Sequence, residues 1–325
     1  MGRIVYSPEI GFVMSDWENE SIRKVYAGTN CIMAITDDGR VLQKVTDEKY
    51  GARTKYWTRI RQIAVSKWWA GAAIGLVSDG TCLIAKRPIR SGPEGARYSF
   101  DQINETVKSW HDIVQVAVSD AFFALDSTGR VHCSHFSQRR QDEDEYREVI
   151  CWENVAKIVP GVQNSLFGVT KDGKILCAGL NTGERGPNGD LNKKLAHITD
   201  AVDVFPTGSE CEKIVIGRRD GTLVDQRGSL LPETNGVGKG APITLKVPAD
   251  PLDQVLEGSY QAVIGRTPTG TLFSVIDNAG LNLEAVLSQV PNTRISSFAV
   301  GEYDYRYPFF IAVTDAEPLR SPFRK

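Results

Sequence analysis

The sequence predicts an all-β protein: a single seven-bladed β-propeller closed by its N-terminal strand pairing into the last blade. Three observations carry this prediction. A unit ending in a glycine-bearing turn recurs roughly every 46 residues; seven such units fill a chain of 325 residues; and the missing half of the seventh unit stands at the opposite terminus. Units of about 40–50 residues carrying several strands are the mark of propeller blades.

The first unit runs from Ile22 through Val25 and Ile32 to Asp38-Gly39-Arg40-Val41. The second starts at Trp57, passes Ile60 and Ile63, and turns at Asp79-Gly80. The third runs from Trp110 to Gly129-Arg130-Val131, and the fourth from Trp152 to Asp172-Gly173-Lys174-Ile175. Two weaker copies follow, one from Ala201 to Asp220-Gly221 and one from Leu252 to Gly270-Thr271-Leu272. The turn glycines 39, 80, 129, 173, 221 and 270 are spaced by 41, 49, 44, 48 and 49 residues. A two-sheet sandwich with chance Asp-Gly hairpins gives no reason for such even spacing. The seventh unit begins at Ile295 and reaches Asp315, but Glu317 stands where its turn glycine belongs. Gly2-Arg3-Ile4-Val5 matches Gly39-Arg40-Val41-Leu42, so the first strand is expected to complete the last blade and leave no open sheet edge. The blades are placed at about 8–56, 57–109, 110–151, 152–197, 198–250, 251–294, and 295–325 completed by 1–7.

Local chemistry agrees with strands. Val114, Val116 and Val118 alternate with Gln115 and Ala117, and Asp-Gly pairs suit hairpin turns with positive φ. Small residues recur late in the first strand of the units (Ala27-Gly28, Ala64, Ala117, Ala299), where strands crowd a central axis. Trp57, Trp110 and Trp152 hold equivalent places and read as blade packing.

Composition narrows the function classes. Hydrophobic residues make up 41% and charged residues 24%, with Lys+Arg 38 against Asp+Glu 40 and a net charge of −2. Such a balance exerts no general pull on nucleic acid or anionic membranes and argues against nucleic acid as a partner. No apolar run approaches a membrane span, and the start Met1-Gly2-Arg3-Ile4 lacks a secretory signal, so a cytoplasmic or virion location is expected. Six cysteines, scattered singly without a CxxC, read as free buried thiols.

The order Trp-x-x-Ile/Val-x-x-Ile/Val, an apolar strand, then Asp-Gly-x-Val is similar to the repeat of the regulator of chromosome condensation family, which is a seven-bladed propeller family. Asp172-Gly173 through Gly179, Asn181, Gly183 and Gly186 resembles that family's Gly-x-Asn-x-x-Gly-x-x-Gly tail, one residue short. The resemblance spans nearly the whole chain. It implies the fold and leaves function open, because the family includes exchange factors, a bacterial β-lactamase inhibitor protein and ubiquitin-ligase modules. The family's Gly-x-x-His-Thr is missing: Gly28 is followed by Thr-Asn-Cys and Gly208 by Ser-Glu-Cys. No residue matches a catalytic motif of the family.

Other constellations resolve into ordinary structure. His132 and His135 lie three apart on a strand and so face opposite sides, which makes a shared metal ion unfavourable. The run Arg139 to Glu148 reads as a solvated loop between blades, and Asn235-Gly236-Val-Gly238-Lys239-Gly240 lacks the residues and the strand-to-helix setting of a phosphate loop. Long connectors at 85–109, 134–151, 180–197, 225–250 and 276–294 are places for recognition, with a short helix expected at Leu281–Ser288.

The reading is a non-enzymatic protein-binding or assembly platform with no cofactor, no metal and no catalytic residue. Its candidate contact residues are Trp68 and Trp69 in one inter-strand turn and Tyr303, Tyr305 and Tyr307 at the matching turn of the last unit. Two other classes stand beside it: a phage virion or tail-associated attachment protein, and a propeller enzyme with a site at the channel mouth or in a loop pocket.

Overall fold

The computed structural model describes residues 3–7, 10–46, 54–67, 72–85, 100–134, 146, 148–161, 165–179, 182, 189–208, 211–231, 256–259, 261–267, 271–277, 281, 283–288, 294–303 and 307–315. These residues form seven three-stranded antiparallel sheets. Blade 1 holds β2 (Ile22–Gly28), β3 (Cys31–Thr36) and β4 (Val41–Val45). Blade 2 holds β5 (Ile60–Val65), β6 (Ala73–Val77) and β7 (Cys82–Ile84), and blade 3 holds β8 (Ile113–Val118), β9 (Phe122–Asp126) and β10 (Val131–Cys133). Blade 4 is β11 (Val155–Pro160), β12 (Ser165–Thr170) and β13 (Ile175–Gly179); blade 5 is β14 (Ala201–Thr207), β15 (Lys213–Arg218) and β16 (Leu223–Val224). Blade 6 is β17 (Leu256–Gly258), β18 (Ala262–Arg266) and β19 (Leu272–Asp277).

Blade 7 joins the two ends of the sequence. Strands β20 (Ile295–Tyr303) and β21 (Tyr307–Thr314) are completed by β1 (Arg3–Tyr6), which pairs antiparallel with β21 in the register Arg3↔Thr314 to Tyr6↔Ile311. The first strand of each blade touches that of the next, from β2 through β5, β8, β11, β14 and β17 to β20, and β20 returns to β2. That cycle is the ring, and the N-terminal strand is its closure.

The ring has two ends. At the front end, each inner strand turns into its middle strand. At the rear end, the middle strand turns into the outer one through the Asp-Gly segments. Gly39, Gly80, Gly129, Gly173 and Gly221 all have φ between +81° and +93°, which glycine adopts without Cβ strain. The glycine is required for a second reason. At Gly173 a Cβ would lie 2.7 Å from the carbonyl oxygen of Thr199 at the start of the next blade. The turn carbonyls accept the first N–H of the following inner strand: Ile60 N to Gly39 O at 3.2 Å, Ile113 N to Gly80 O at 3.0 Å, Val155 N to Gly129 O at 3.0 Å, and Ala201 N to Gly173 O at 2.9 Å. The repeated glycine therefore couples one blade to the next as well as turning the chain.

Trp57, Trp110 and Trp152 are buried, as their repeat position implies. The rings of Trp57 and Trp152 lie against Gly75 and Gly168 of their own middle strands, where a Cβ would come within 2.8 Å and 2.9 Å of ring carbon. Helix α3 (Leu283–Leu287) falls within the expected 281–288 segment. Two further helices, α1 (Phe100–Lys108) and α2 (Leu191–Leu195), were not anticipated. Helix α1 buries Ile103 and Val107 between blades 2 and 3, and α2 is capped by Asp190, whose carboxylate accepts the Lys193 N–H at 3.1 Å. No helix among the described residues is long and apolar enough to cross a membrane.

Two local expectations need correction. Tyr146, in the charged run read as a solvated loop, is 2% exposed; it donates its hydroxyl hydrogen to Asp120 and meets Phe123 edge-on at 4.9 Å. Among the cysteines, all free, Cys151 is exposed while the other five are buried. A phenol packs into a core readily when a neighbouring carboxylate satisfies its hydroxyl.

Candidate functional site

The inner strands carry a polar position that the aligned units share. In six blades the strand register slips near its start, and the residue after the slip is Lys24, Gln62, Gln115, Lys157, Asp203 or Ser297. Gln62, Gln115 and Ser297 serve the edge of the neighbouring inner strand. Gln62 donates to Val116 O at 3.4 Å and accepts from Val116 N at 2.9 Å. Gln115 does the same to Ile158, at 2.8 Å and 2.9 Å. Ser297 accepts from Val25 N at 3.2 Å across the closure seam. Between blades 4 and 5 the main-chain staple is replaced by an ion pair, Lys157 Nζ to Asp203 Oδ2 at 2.7 Å, with Asp203 1% exposed.

The same position opens onto the axis. A cavity of about 130 Å³ runs between the inner strands. Its rear part is walled by Lys24, Gln62, Gln115, Lys157 and Asp203; two residues further on come Tyr26, Ala64, Val159, Phe205 and Ala299. Burial raises the Tyr26 phenol well above the usual tyrosine range, so that side chain stays protonated.

Lys67 closes the front of the channel. It leaves the end of β5 in blade 2 and crosses to the far side of the ring, where its ammonium group lies 2.6 Å from Glu257 Oε1 of blade 6 and donates to Val300 O of blade 7 at 2.5 Å. Both side chains of the pair are largely buried, at 15% and 18% exposure. Among the described lining residues, both carboxylates are held in ion pairs with lysines.

The front turns of blades 7, 1 and 2 are tied together. The blade 1 turn is only Thr29-Asn30, and both residues are buried. Asn30 N donates to Glu302 O at 2.8 Å in blade 7, while Thr29 donates through N to Ser66 O at 3.2 Å and through Oγ1 to Lys67 O at 2.5 Å in blade 2. Ser66 Oγ continues to Ser119 O of blade 3 at 3.2 Å. The end of β5 with Lys67 and the paired ends of β20 and β21 at Tyr303 and Tyr307 lie at this same end of the ring, on either side of the short blade 1 turn.

Of the sequence-derived contact residues, Tyr307 is 59% exposed at the start of β21. Tyr303 pairs with Tyr307 through the strand ladder. Trp68, Trp69 and Tyr305 lie outside the described residues, as do His135 and the Asn235–Gly240 segment. His132 is engaged by its own blade: Nε2 is 3.0 Å from Asp126 Oδ2 and the ring lies 5.8 Å from that of Trp110. Lys24, Lys67, Lys157, Asp203 and Glu257 escaped the sequence reading. For three of them a signal was available, a polar residue recurring at the third place of an otherwise apolar inner strand. Lys67 and Glu257 carry no such mark, because their meeting depends on ring closure.

No family model and no curated relative matches the chain. Among solved structures it is similar to the crystal structure of yeast RCC1 (Prp20) bound to Kap60, with a TM-score of 0.55 and 15% identity over 89% of this chain and 79% of that one. The architecture is that of an RCC1-like propeller. Human WBSCR16 gives the same TM-score of 0.55 at 13% identity, covering 92% of this chain and 88% of that chain. At such identities the likeness concerns the fold and carries no residue roles with it.

Proposed function

We propose that the chain is a non-enzymatic platform that docks a protein partner through its front face, around the turns of blades 7, 1 and 2. The supporting observation is that Glu302 of blade 7 and Ser66 and Lys67 of blade 2 are hydrogen-bonded to the short Thr29-Asn30 turn between them, with Tyr307 exposed at one edge. Trp68, Trp69, Tyr303, Tyr305 and Tyr307 are the contact residues in this reading, since aromatic side chains on a rigid support are the commonest source of interface hot spots. Yeast RCC1 (Prp20), which shares the fold, is seen in complex with another protein, Kap60, and this supports a protein as the kind of partner. Catalysis in the channel has less support, because the carboxylates there are held in ion pairs.

Site-specific photo-cross-linking tests the proposal. A photoreactive residue at position 307 is expected to give protein adducts in cells that make the chain, and one at position 220 on the rear face is not. Adducts only at 220 would move the docking face, and none at either position would remove the platform reading.

A further inference from the structure

The ring has one seam unlike the others. Blades 1 to 7 follow one another round the axis in chain order, whereas the link from blade 7 back to blade 1 runs through β1. That link holds only while β1 stays paired with β21, over the four residue pairs from Arg3↔Thr314 to Tyr6↔Ile311. Along the inner edge the same seam is bridged by Val25 N to Ser297 Oγ at 3.2 Å and by Asn30 N to Glu302 O at 2.8 Å. Short strands at a chain end are among the first elements of a fold to open, so this seam is where the ring is most easily parted.

Lys67 spans this seam from inside the ring. It follows β5 of blade 2, and its carbonyl accepts the Thr29 hydroxyl of blade 1 at 2.5 Å. Its ammonium group reaches past blade 1 to Glu257 Oε1 of blade 6 at 2.6 Å and to Val300 O of blade 7 at 2.5 Å. One residue therefore engages both sides of the closure. Parting blades 7 and 1 would draw blades 2 and 6 away from each other, and the ammonium would have to leave both acceptors. In a largely buried setting that loss is costly, because it leaves a carboxylate and an ammonium without their partners. Parting blades 3 and 4, on the opposite arc of the ring, imposes no such stretch. We propose that Lys67 is a transverse clasp, a second lock in parallel with β1, that keeps the ring from opening at the seam between blades 7 and 1. The clasp acts inside the ring and does not depend on what docks at the front.

Native-state hydrogen exchange of the intact protein, read amide by amide by NMR, tests the clasp. The Val25 and Asn30 amides report on the seam between blades 7 and 1. The Ile158 amide, bonded to Gln115 Oε1 at 2.9 Å, reports on the seam between blades 3 and 4. Lys67→Met is expected to speed exchange at Val25 and Asn30 about tenfold more than at Ile158. Glu257→Gln keeps the side-chain shape and the Lys67 bond to Val300, and about a fivefold difference is expected at the same amides. A difference below about threefold in folded Lys67→Met would make the residue an ordinary contributor to stability and overturn the proposal. Faster exchange at Asn30 with Val25 unchanged overturns it as well, because the effect would then be confined to the turn that Lys67 touches. If Lys67→Met fails to fold, Glu257→Gln decides by the same threshold.

Discussion

The two ends of the ring are built on opposite plans. At the rear, one device recurs. The turn residue donates its N–H to the residue just before the inner strand, as in Asp37 to Ser21 (2.8 Å), Ser78 to Arg59 (2.9 Å), Ser127 to Asp112 (3.0 Å), Lys171 to Asn154 (2.9 Å), Arg219 to Asp200 (2.8 Å) and Asp315 to Arg294 (2.8 Å). At the front, the spacing is uneven. Two residues separate the inner and middle strands in blade 1, seven in blade 2 and three in blade 3. The rear end is where sequence has been spent on assembling blades, and repetition follows because each seam poses the same steric problem. The front end is free of that demand once the inner strands are set, and it is there that variation accumulates.

The largest expected effect tests this contrast directly. Gly173→Ala forces a side chain into positive φ and against the Thr199 carbonyl, and is expected to cost about 2–4 kcal/mol in urea unfolding. Tyr307→Ala, at the exposed front, should change stability by less than about 0.5 kcal/mol. Similar losses from the two substitutions would break the comparison.

The polar staples between the ends come next in size. Gln115→Leu leaves the Ile158 N–H and C=O without their partner in a buried setting, and a loss of about 1–3 kcal/mol is expected. A neutral result would mean that the inner edges are satisfied in some other way.

The smallest effect is electrostatic. In the rear turns, hydrogen bonds from Thr36 and then Arg40 hold the Asp38 carboxyl down at about 2, and bonds from Thr81 and Thr222 lower Asp79 and Asp220. A carboxyl lowered on folding adds stability that is fully present above its unfolded value near 4 and is lost as pH falls through its folded value. Thermal unfolding temperature should therefore decline between about pH 4 and pH 2, and Asp38→Asn should flatten part of that decline. These groups are solvent-exposed, so added salt is expected to shrink the effect. An unchanged acid slope in Asp38→Asn would detach this turn from the rear-end stabilisation.

The rear end was the legible end. Glycines 39, 80, 129, 173 and 221 were visible because both φ and steric contact restrict the position to one residue type, and a restriction that recurs becomes a period. Closure was legible for the same reason, since Arg3-Ile4-Val5 had to look like an outer strand to complete blade 7. The burial of Tyr146 was not legible, because its partner Asp120 is 26 residues away and the intervening run is highly charged. Helix α1 was available in principle: Phe100, Ile103 and Val107 fall on one helical face, with Asp101 early and Lys108 late.

Local chemistry by itself determined the blades, their number and the strand that seals them, because turn geometry and strand alternation act over a few residues and leave their marks in order along the chain. Ring closure alone decided the channel. It brought Lys67 to Glu257 across 190 residues and to Val300 across 233, and it enclosed a cavity to which many strands contribute. Such meetings depend on the angle between successive blades, a quantity that no single segment of the sequence encodes.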